Sequence, residues 1–255
     1  MTVLSPFGRH AIRAIAAALT LTLAACGSGS SDSGASAPTG DPIAAIAAPE
    51  GTNWADTVTV TPEGGYAMGN PEAPLKLVEY GSLTCSHCAH FAEEASATLS
   101  DKYVASGVVS YELRNQIHDG LDLTMALMVR CGAPESMPAL SEQVWVNLNA
   151  IIQKAQANEA GMQAAMKEED QSKRYMAIAD AAGLSDFFAA RGVSKDQLAQ
   201  CLADPAKAET LVNQSTKQSE ELGVDGTPTF FLNGVKLEGR TWKEIEPALQ
   251  NAGAR

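Results

Sequence analysis

Cys85 and Cys88 are separated by Ser86 and His87, a spacing that suits reversible thiol–disulfide chemistry. They follow an apolar run over residues 75–80 that predicts a strand, and they open a segment with helical periodicity. Free N–H groups and the partial positive charge at a helix N-terminus stabilise a thiolate on the first cysteine. We therefore expect Cys85 to be the exposed nucleophile and Cys88, one turn further in, to resolve the mixed disulfide. His87 either adds a donor or a positive charge, or is an ordinary surface residue.

Half of a zinc site is the alternative interpretation of this tetrapeptide, because paired cysteines at this spacing also bind structural zinc. Such a site needs two further ligands. The remaining candidates are His90, His118, Cys131 and Cys201, and none of them has a paired ligand spacing. We therefore predict no metal, and no cofactor either, since the cysteine pair itself carries the electrons. His90 is expected to lie in solvent on the helix.

Glu79 lies inside the predicted strand, six residues before Cys85. If it shares a buried face with Leu77, its carboxylate lies beneath the dithiol, where burial raises its pKa. There it can exchange a proton with the buried Cys88 thiol. The alternative is that Glu79 points to solvent, as Lys76 is expected to. The residues alone leave both orientations open.

The elements that must position these residues form an α/β pattern. Strand signals cover about 57–61, 75–80, 108–113, 227–232 and 235–237, the last two joined by an Asn233-Gly234 turn. Helical periodicity covers about 85–105, 120–131, 138–156, 172–182, 194–202, 205–222 and 242–252, while the stretch 161–174 is uncertain. The pattern predicts a sheet domain in two parts, 55–118 and 223–255, interrupted by a helical insertion over 119–222.

The N-terminus carries the signals of export. Arg9 and Arg13 precede a short apolar stretch that cannot span a bilayer, which is typical of a signal peptide over residues 1–25. The small residues before Cys26 resemble the lipobox of bacterial lipoproteins, which implies cleavage before Cys26 and attachment of lipid to it. An ordinary signal peptide with an incidental cysteine is the alternative. Residues 26–54 predict a flexible, lipid-anchored linker because they are rich in Gly, Ser, Ala and Pro.

The chain is acidic, with 30 Asp and Glu residues against 18 Lys and Arg residues and a formal net charge of −12. Loss of the signal peptide with its two arginines would make the mature protein more acidic still. Binding to nucleic acid and docking to anionic lipids both need clustered basic residues, so the composition argues against them. Lipid on Cys26 would therefore be the only membrane anchor.

Of the five cysteines, four remain once Cys26 is assigned to lipid attachment. In an oxidising, exported compartment, four cysteines suggest two disulfides. Adjacent spacing pairs Cys85 with Cys88, which leaves Cys131 to pair with Cys201 in a structural disulfide. Such a bridge is expected to be buried and to staple the helical insertion. Two buried free thiols are the alternative.

The dithiol and the downstream segment Gly226-Thr227-Pro228-Thr229-Phe230-Phe231 together resemble the thioredoxin superfamily, and more closely its DsbA-like branch of exported thiol–disulfide oxidoreductases. The resemblance runs from about residue 56 to the C-terminus. It implies a thioredoxin fold with an inserted helical domain over the active site. It also implies that Glu79 relays protons, that the Thr227–Pro228 bond is cis, and that these two residues bind an extended substrate peptide.

The resemblance further implies a monomeric enzyme that introduces disulfides into folding exported proteins on the periplasmic side of a bacterial membrane. A membrane redox partner, expected to be quinone-linked, would re-oxidise the dithiol. Two departures bear on the direction of catalysis: Ser86 stands where DsbA itself usually has proline, and Thr227 stands where it has an aliphatic residue. A disulfide reductase or isomerase therefore stays open, as does a chaperone-like binding module whose dithiol is structural.

Overall fold

The computed structural model describes residues 37–255. The predicted signal peptide, the lipid attachment at Cys26 and the first part of the linker lie outside the described residues and stay predictions. In the described part of the chain, no helix combines the length and the apolar character needed to cross a bilayer.

A six-stranded mixed sheet lies at the centre of the domain. Its strands are β1 (Val58–Val60), β2 (Tyr66–Met68), β3 (Leu75–Gly81), β4 (Val109–Asn115), β5 (Thr229–Leu232) and β6 (Val235–Lys236). They lie in the order β1-β2-β4-β3-β5-β6. Neighbouring strands in this sheet are antiparallel except β3 and β4, which run parallel and end at the same edge. That edge is where the predicted dithiol follows β3.

The residue pattern predicts five strands, and the sheet has one more. β2 was missed because a three-residue strand between two turns is too short to show alternation. β5 begins at Thr229, two residues later than predicted, because Pro228 has no N–H to donate to a strand ladder. The predicted turn after β5 is present: Asn233 and Gly234 have φ of 50° and 80°, the left-handed pair that a tight hairpin turn requires.

Ten α-helices occur among the described residues. They are α1 (Ser86–Thr98), α2 (Gly120–Met128), α3 (Met137–Val146), α4 (Leu148–Ala157), α5 (Glu159–Met166), α6 (Gln171–Ala181), α7 (Leu184–Ala189), α8 (Lys195–Leu202), α9 (Pro205–Leu222) and α10 (Trp242–Asn251). α1 continues as a wider π-helical turn over Leu99–Val104. Helices α2 to α9 lie between β4 and β5 in the chain, in the position predicted for the helical insertion.

The insertion is more broken than its periodicity predicts. The predicted helix over 138–156 is two helices, α3 and α4, divided at Asn147, whose side-chain amide donates to the carbonyl oxygen of Gln143 at 2.8 Å. Asn often ends a helix in this way, because its side chain competes for backbone hydrogen bonds. The uncertain stretch 161–174 contains the end of α5 and the beginning of α6, and the short helix α7 was not predicted.

Helix α1 connects two hydrophobic cores. Residues at i+4 spacing indicate one apolar face: Phe91, Ala95, Leu99 and Tyr103. All four are buried in the core that also contains Phe230 of β5 and Trp242 of α10. Cys88, in the first turn of α1, belongs instead to the core formed mostly by the helical insertion. The start of α1 is therefore held between the sheet and the insertion.

The prediction of a flexible linker up to residue 54 is wrong for residues 40–46, which lie along the domain. The N–H of Gly40 donates to the carbonyl oxygen of Asn251, the last residue of α10, and the N–H of Ile43 donates to that of Gly253, both at 2.9 Å. The N–H of Ile46 donates to the carbonyl oxygen of Ser106 at 2.8 Å. Composition suggested flexibility because these side chains bury little area, but backbone hydrogen bonds do not depend on side-chain type.

Candidate active site

Cys85 caps the N-terminus of α1. Its backbone is extended, and its Sγ accepts the N–H of Cys88 at 3.4 Å. Cys85 is partly exposed, whereas Cys88 is fully buried, and both are free thiols. The structure therefore describes the reduced dithiol, with Cys85 the accessible sulfur, as the spacing predicts.

The loop before β5 lies against Cys85. The Thr227–Pro228 peptide bond is cis. The Cys85 thiol lies 3.4 Å from the carbonyl oxygen of Thr227, to which it can donate. The N–H of Thr227 makes no backbone hydrogen bond with any other described residue. The backbone of Thr227, close to the Cys85 sulfur, therefore has an N–H that is available for a hydrogen bond.

Hydrogen bonds lower the pKa of the Cys85 thiol to about 5. The largest contribution is the hydrogen bond with the Cys88 thiol, which outweighs the opposing effect of burial. A hydrogen bond with the side chain of Thr227, distinct from the contact with its carbonyl oxygen, and hydrogen bonds from the backbone N–H groups of Cys88 and His87 act in the same direction. Cys85 is therefore a thiolate at neutral pH, the form in which sulfur is nucleophilic and also leaves readily.

Burial has the opposite effect on Cys88. It raises the pKa of the Cys88 thiol well above its usual range, and the neighbouring Cys85 and Glu79 add to the increase. Cys88 is consequently protonated whenever the dithiol is reduced. Any reaction that expels Cys88 as a thiolate must supply it with a proton.

Glu79 is fully buried, so the solvent-facing alternative for this residue is wrong. Its Oε2 accepts the hydroxyl of Tyr111 at 2.6 Å, while its Oε1 has no hydrogen-bond partner among the described residues. Burial raises the pKa of Glu79 to about 8, although the bond from Tyr111 acts in the opposite direction. Negative charge on Cys85 raises this pKa further, and the nearby Cys88 thiol lowers it. Glu79 is therefore a neutral acid at pH 7, close to the thiol that must exchange a proton.

Gly81 leaves the space that this carboxyl occupies. A Cβ at position 81 would lie 2.9 Å from Oε1 of Glu79 and 3.0 Å from the Leu113 side chain. The first distance is shorter than Cβ atoms show and the second is tight, so a larger residue would displace the carboxyl. Glycine at the end of β3 therefore leaves room for the Glu79 carboxyl next to the dithiol.

A second buried carboxylate, which the sequence interpretation missed, holds the loop between β3 and α1. Asp122 of α2 accepts the hydroxyl of Ser82 and the N–H of Leu83, both at 2.8 Å. Trp145 of α3 donates its indole N–H to the carbonyl oxygen of Ser82 at 2.9 Å. Burial raises the pKa of Asp122 to about 6. The available signal was an acidic residue within an apolar helix, but its partner lies 40 residues away in the chain.

The two histidines of α1 lie at the surface. His87 is exposed, and its imidazole makes no hydrogen bond with the described residues, so its backbone N–H is what acts on Cys85. His90 lies beside Glu93 and Glu94 on the exposed side of the helix. Among residues 37–255, no group of three His, Cys, Asp or Glu side chains is arranged to hold a metal ion.

Cys131 and Cys201 form a disulfide with a Cα–Cα distance of 5.6 Å. Cys131 follows α2 and Cys201 lies in the last turn of α8. The disulfide therefore joins two helices of the insertion, and the pairing is the one predicted from the number of cysteines. It is partly exposed, however, and the expectation that it is buried is wrong, because both cysteines lie where helices end near the surface.

A dithiol at a helix N-terminus, opposite a cis proline and above a buried acid, is the arrangement of a thioredoxin-fold thiol–disulfide site. The sequence profile of the family described as Thioredoxin matches residues 61–251, and the chain belongs to this family. The predicted fold class, a thioredoxin fold with an inserted helical domain, is confirmed by this match together with the similar solved structures.

Two solved structures illustrate the similarity. The crystal structure of a protein-disulfide isomerase from Novosphingobium aromaticivorans is 30% identical, with a TM-score of 0.70, over 75% of this chain and 98% of that one. The crystal structure of alpha-DsbA1 from Wolbachia pipientis is 22% identical, with a TM-score of 0.59, over 73% and 89% of the two chains. At the lower identity the likeness concerns the fold.

Curated proteins of Rickettsia are also similar to this chain. A protein of Rickettsia bellii named "Putative protein-disulfide oxidoreductase" is 25% identical over 193 residues, 74% of this chain and 65% of the relative. One of Rickettsia typhi with a similar name is 27% identical over 188 residues, 72% of this chain and 60% of the relative. The chain thus spans less than two thirds of these relatives. The DsbA-like resemblance is confirmed for family and fold.

Proposed function

We propose that this protein is an extracytoplasmic thiol–disulfide oxidoreductase that donates the Cys85–Cys88 disulfide to exported proteins. The observation that carries the proposal is the asymmetry of the pair. Cys85 is partly exposed with a pKa of about 5, whereas Cys88 is buried with a raised pKa. A stable thiolate on Cys85 favours the reduced form and so makes the disulfide more oxidising. Family membership and the names of the relatives support the class of activity.

The electron transfer takes two exchange steps. A substrate thiolate attacks Sγ of Cys85, which forms a mixed disulfide and breaks the Cys85–Cys88 bond, with the electron pair leaving on Cys88. A second substrate thiolate attacks the substrate sulfur of the mixed disulfide, forms the substrate disulfide and releases Cys85 as a thiolate. Two electrons have then passed from the substrate dithiol to the Cys85–Cys88 pair.

Glu79 supplies the proton that the first step needs. The departing Cys88 sulfur is buried and cannot stay ionised there. Glu79 lies close to it and is protonated below about pH 8. General-acid catalysis by this carboxyl protonates Cys88 as it leaves. Re-oxidation reverses the transfer: Glu79 first releases its proton to solvent, and the resulting carboxylate then accepts the proton from Cys88.

The loop of Thr227 and Pro228 provides the substrate surface in this proposal. The N–H of Thr227 is unpaired among the described backbone groups, and the carbonyl oxygen of the same residue lies 3.4 Å from the Cys85 sulfur. An extended substrate segment can add there by strand pairing, which binds backbone and leaves the substrate sequence free to vary. This suits an enzyme that acts on many unfolded or folding proteins with cysteines.

A disulfide isomerase or reductase is the second candidate. The Novosphingobium aromaticivorans structure favours it, because that structure is named as an isomerase. The resemblance to the thioredoxin superfamily adds that threonine before the cis proline, as at Thr227, also occurs in isomerase relatives. The low pKa of Cys85 favours the donor. The distinguishing experiment measures the reduction potential of Cys85–Cys88 and its redox state in cells by thiol alkylation. We expect an oxidised pair and a potential above about −180 mV, and a mostly reduced pair would establish the second candidate.

We propose further that the protein acts as a monomer tethered by lipid on Cys26 at the periplasmic side of a bacterial membrane, where a quinone-linked partner re-oxidises it. The lipobox-like residues before Cys26 support the tether. Metabolic labelling with a fatty acid should mark the wild-type protein and not Cys26→Ser. Unlabelled wild-type protein would contradict the anchor while leaving the exchange chemistry intact.

A further inference from the structure

Glu79 must exchange a proton with solvent twice in each cycle of the proposed function. After it protonates Cys88, the carboxylate takes up a proton, and before re-oxidation the acid releases one. Glu79 is fully buried, however, so its carboxyl has no contact with bulk water. The Tyr111 hydroxyl occupies Oε2 at 2.6 Å, which leaves Oε1 as the oxygen that can reach another partner.

Orphaned polar atoms mark the surroundings of this oxygen. In the described part of the chain, the buried side-chain nitrogen and oxygen atoms without a hydrogen-bond partner are Oε1 of Glu79 and both Oδ1 and Nδ2 of Asn115. Turning the Asn115 amide over does not help, because both of its ends are unpaired. A buried amide without partners is costly, and buried waters commonly bind to such groups.

The parallel register of β3 and β4 brings the two residues together. Gly81 is paired with Asn115 and Glu79 with Leu113, and paired residues project from the same face of a sheet. The Glu79 carboxyl lies over Gly81, where a Cβ would be 2.9 Å from Oε1. Asn115 is therefore one strand spacing, about 4.8 Å, from the glycine beneath the carboxyl, and no side chain at position 81 separates them. One bridging water fits a gap of this size, which is too long for a direct hydrogen bond.

Asn115 also lies where a path to solvent can begin. It is the last residue of β4 and is 5% exposed, and the chain reaches the surface three residues later at His118. Tyr111, on the other oxygen of the carboxyl, lines a separate cavity of about 420 Å³. Burial and the neighbouring Glu79 raise the pKa of Tyr111 well above its usual value, so its hydroxyl keeps its proton. This favours the side of Asn115.

We propose that Asn115 is a positioning residue that holds a buried water against Oε1 of Glu79, and that Glu79 exchanges its proton with solvent through this water. Because Oε2 accepts the Tyr111 hydroxyl, the proton of the neutral acid lies on Oε1. It passes to the water while the water passes one of its own protons outward. The acid becomes a carboxylate, one proton reaches solvent, and uptake reverses these steps. This role of Asn115 depends on the proposed function, in which Glu79 protonates Cys88, and explains how that acid is recharged.

The rate at which deuterium replaces the proton of Glu79 tests this role. In the reduced protein at pH 6 the carboxyl is neutral, and its infrared carbonyl band, absent from Glu79→Gln, shifts after mixing with D₂O. Asn115→Val removes both polar atoms and suits a strand, so deuteration should slow at least about tenfold. Asn115→Thr has the shape of valine with one hydroxyl and should stay within about threefold of the wild type.

Asn70→Val is the matched control, because Asn70 is also buried but its amide pairs with Gly107 and Glu72. It should lower stability and keep the wild-type deuteration rate. Unchanged deuteration in Asn115→Val, equal slowing in Asn115→Thr, or slowing in Tyr111→Phe alone would overturn the role of Asn115.

A second measurement needs no variant. A water held by Asn115 in the wild-type protein should give a nuclear Overhauser effect to the side-chain amide protons of Asn115, and its absence would contradict the proposal. Neither readout depends on the direction of catalysis. A mostly reduced dithiol in cells would remove the donor function and leave this water in place, whereas a missing water would leave the reduction potential unaffected.

Discussion

The two cysteine pairs of this protein place the same chemical group in opposite settings. Cys85 caps the N-terminus of α1, beside free N–H groups, and its pKa is lowered to about 5. Cys131 follows the C-terminal end of α2, with its sulfur 3.3 Å from the carbonyl oxygen of Leu127, and Cys201 lies in the last turn of α8. One pair is a free dithiol and the other a disulfide.

The difference shows how helix polarity selects the role of a cysteine. The positive end of a helix stabilises a thiolate, while the carbonyl oxygens at the negative end oppose one. A poor thiolate is a poor leaving group, so a disulfide between two helix C-termini exchanges slowly. The distance along the sequence adds to the contrast. A disulfide between cysteines 70 residues apart restricts the unfolded chain far more than a disulfide between cysteines three residues apart.

The largest expected effect concerns the order of the reactive pair. Cys88→Ala should trap mixed disulfides with substrate proteins, because the partly exposed Cys85 can react and no buried thiol can resolve the product. Cys85→Ala should trap few, since Cys88 is inaccessible and protonated. Non-reducing gels of cells that express each variant provide the measurement. Equal trapping by both variants would contradict the assignment of Cys85 as nucleophile.

Loss of the buried acid should slow exchange without removing the nucleophile. Glu79→Gln cannot protonate the departing Cys88, and we expect the rate of attack on the Cys85–Cys88 disulfide to fall roughly 10²-fold. In the wild type, the rate per attacking thiolate should decrease as pH rises through about 8, where Glu79 loses its proton. The variant should lack this inflection. Stopped-flow fluorescence from Trp145, which contacts Ser82, can follow the reaction.

Glu112→Gln is the matched control, because Glu112 is also buried, lies on the neighbouring strand and pairs with Arg114. It should keep the inflection near pH 8. Stability gives a second readout. The pKa of Glu79 is raised from 4.5 to about 8, so its contribution to stability is present below pH 4.5 and lost as pH rises through about 8. Glu79→Gln should flatten that part of the stability profile in urea unfolding at pH 5 and pH 9.

A smaller effect is expected from Tyr111→Phe. The Tyr111 hydroxyl donates to Glu79 at 2.6 Å and lowers the pKa of the carboxyl, so its loss should move the inflection of the exchange rate to higher pH. The rate at pH 7, where Glu79 is already protonated, should change less than about threefold. Tyr175→Phe, a buried tyrosine of α6, should leave the inflection in place. An unshifted inflection in Tyr111→Phe would show that this hydroxyl does not act on Glu79.

The local spacing of residues was sufficient to predict the first of the two cysteine pairs, the dithiol. Cys85 and Cys88, the strand before them and the helix after them are contiguous in the chain, and the segment around Pro228 has a recognisable pattern. The resemblance to the thioredoxin superfamily then related these two distant segments. Glu79 could be placed near the dithiol, but its orientation could not be decided, because a single acidic residue fits either face of a strand.

The supporting contacts could not be predicted, because they depend on packing between distant segments. Tyr111 reaches Glu79 only through the parallel register of β3 and β4, which sets Leu77 opposite Tyr111. Asp122 and Trp145 reach the loop at Ser82 only because α2 and α3 pack over it. The docking of residues 40–46 was missed for a related reason, since backbone hydrogen bonds have no side-chain signature.

The smallest expected effect on the dithiol comes from removing the second cysteine pair. Cys131→Ala combined with Cys201→Ala opens a loop closed over 70 residues, which the chain-entropy estimate equates with roughly 4 kcal/mol of unfolding free energy. The loss should appear as a lower melting temperature. The alkylation rate of Cys85 should stay unchanged, because its pKa depends on Cys88, Thr227 and α1 rather than on the insertion disulfide. A changed alkylation rate, or a wild-type Cys131–Cys201 bond that glutathione reduces as fast as Cys85–Cys88, would show that helix polarity does not separate the two roles.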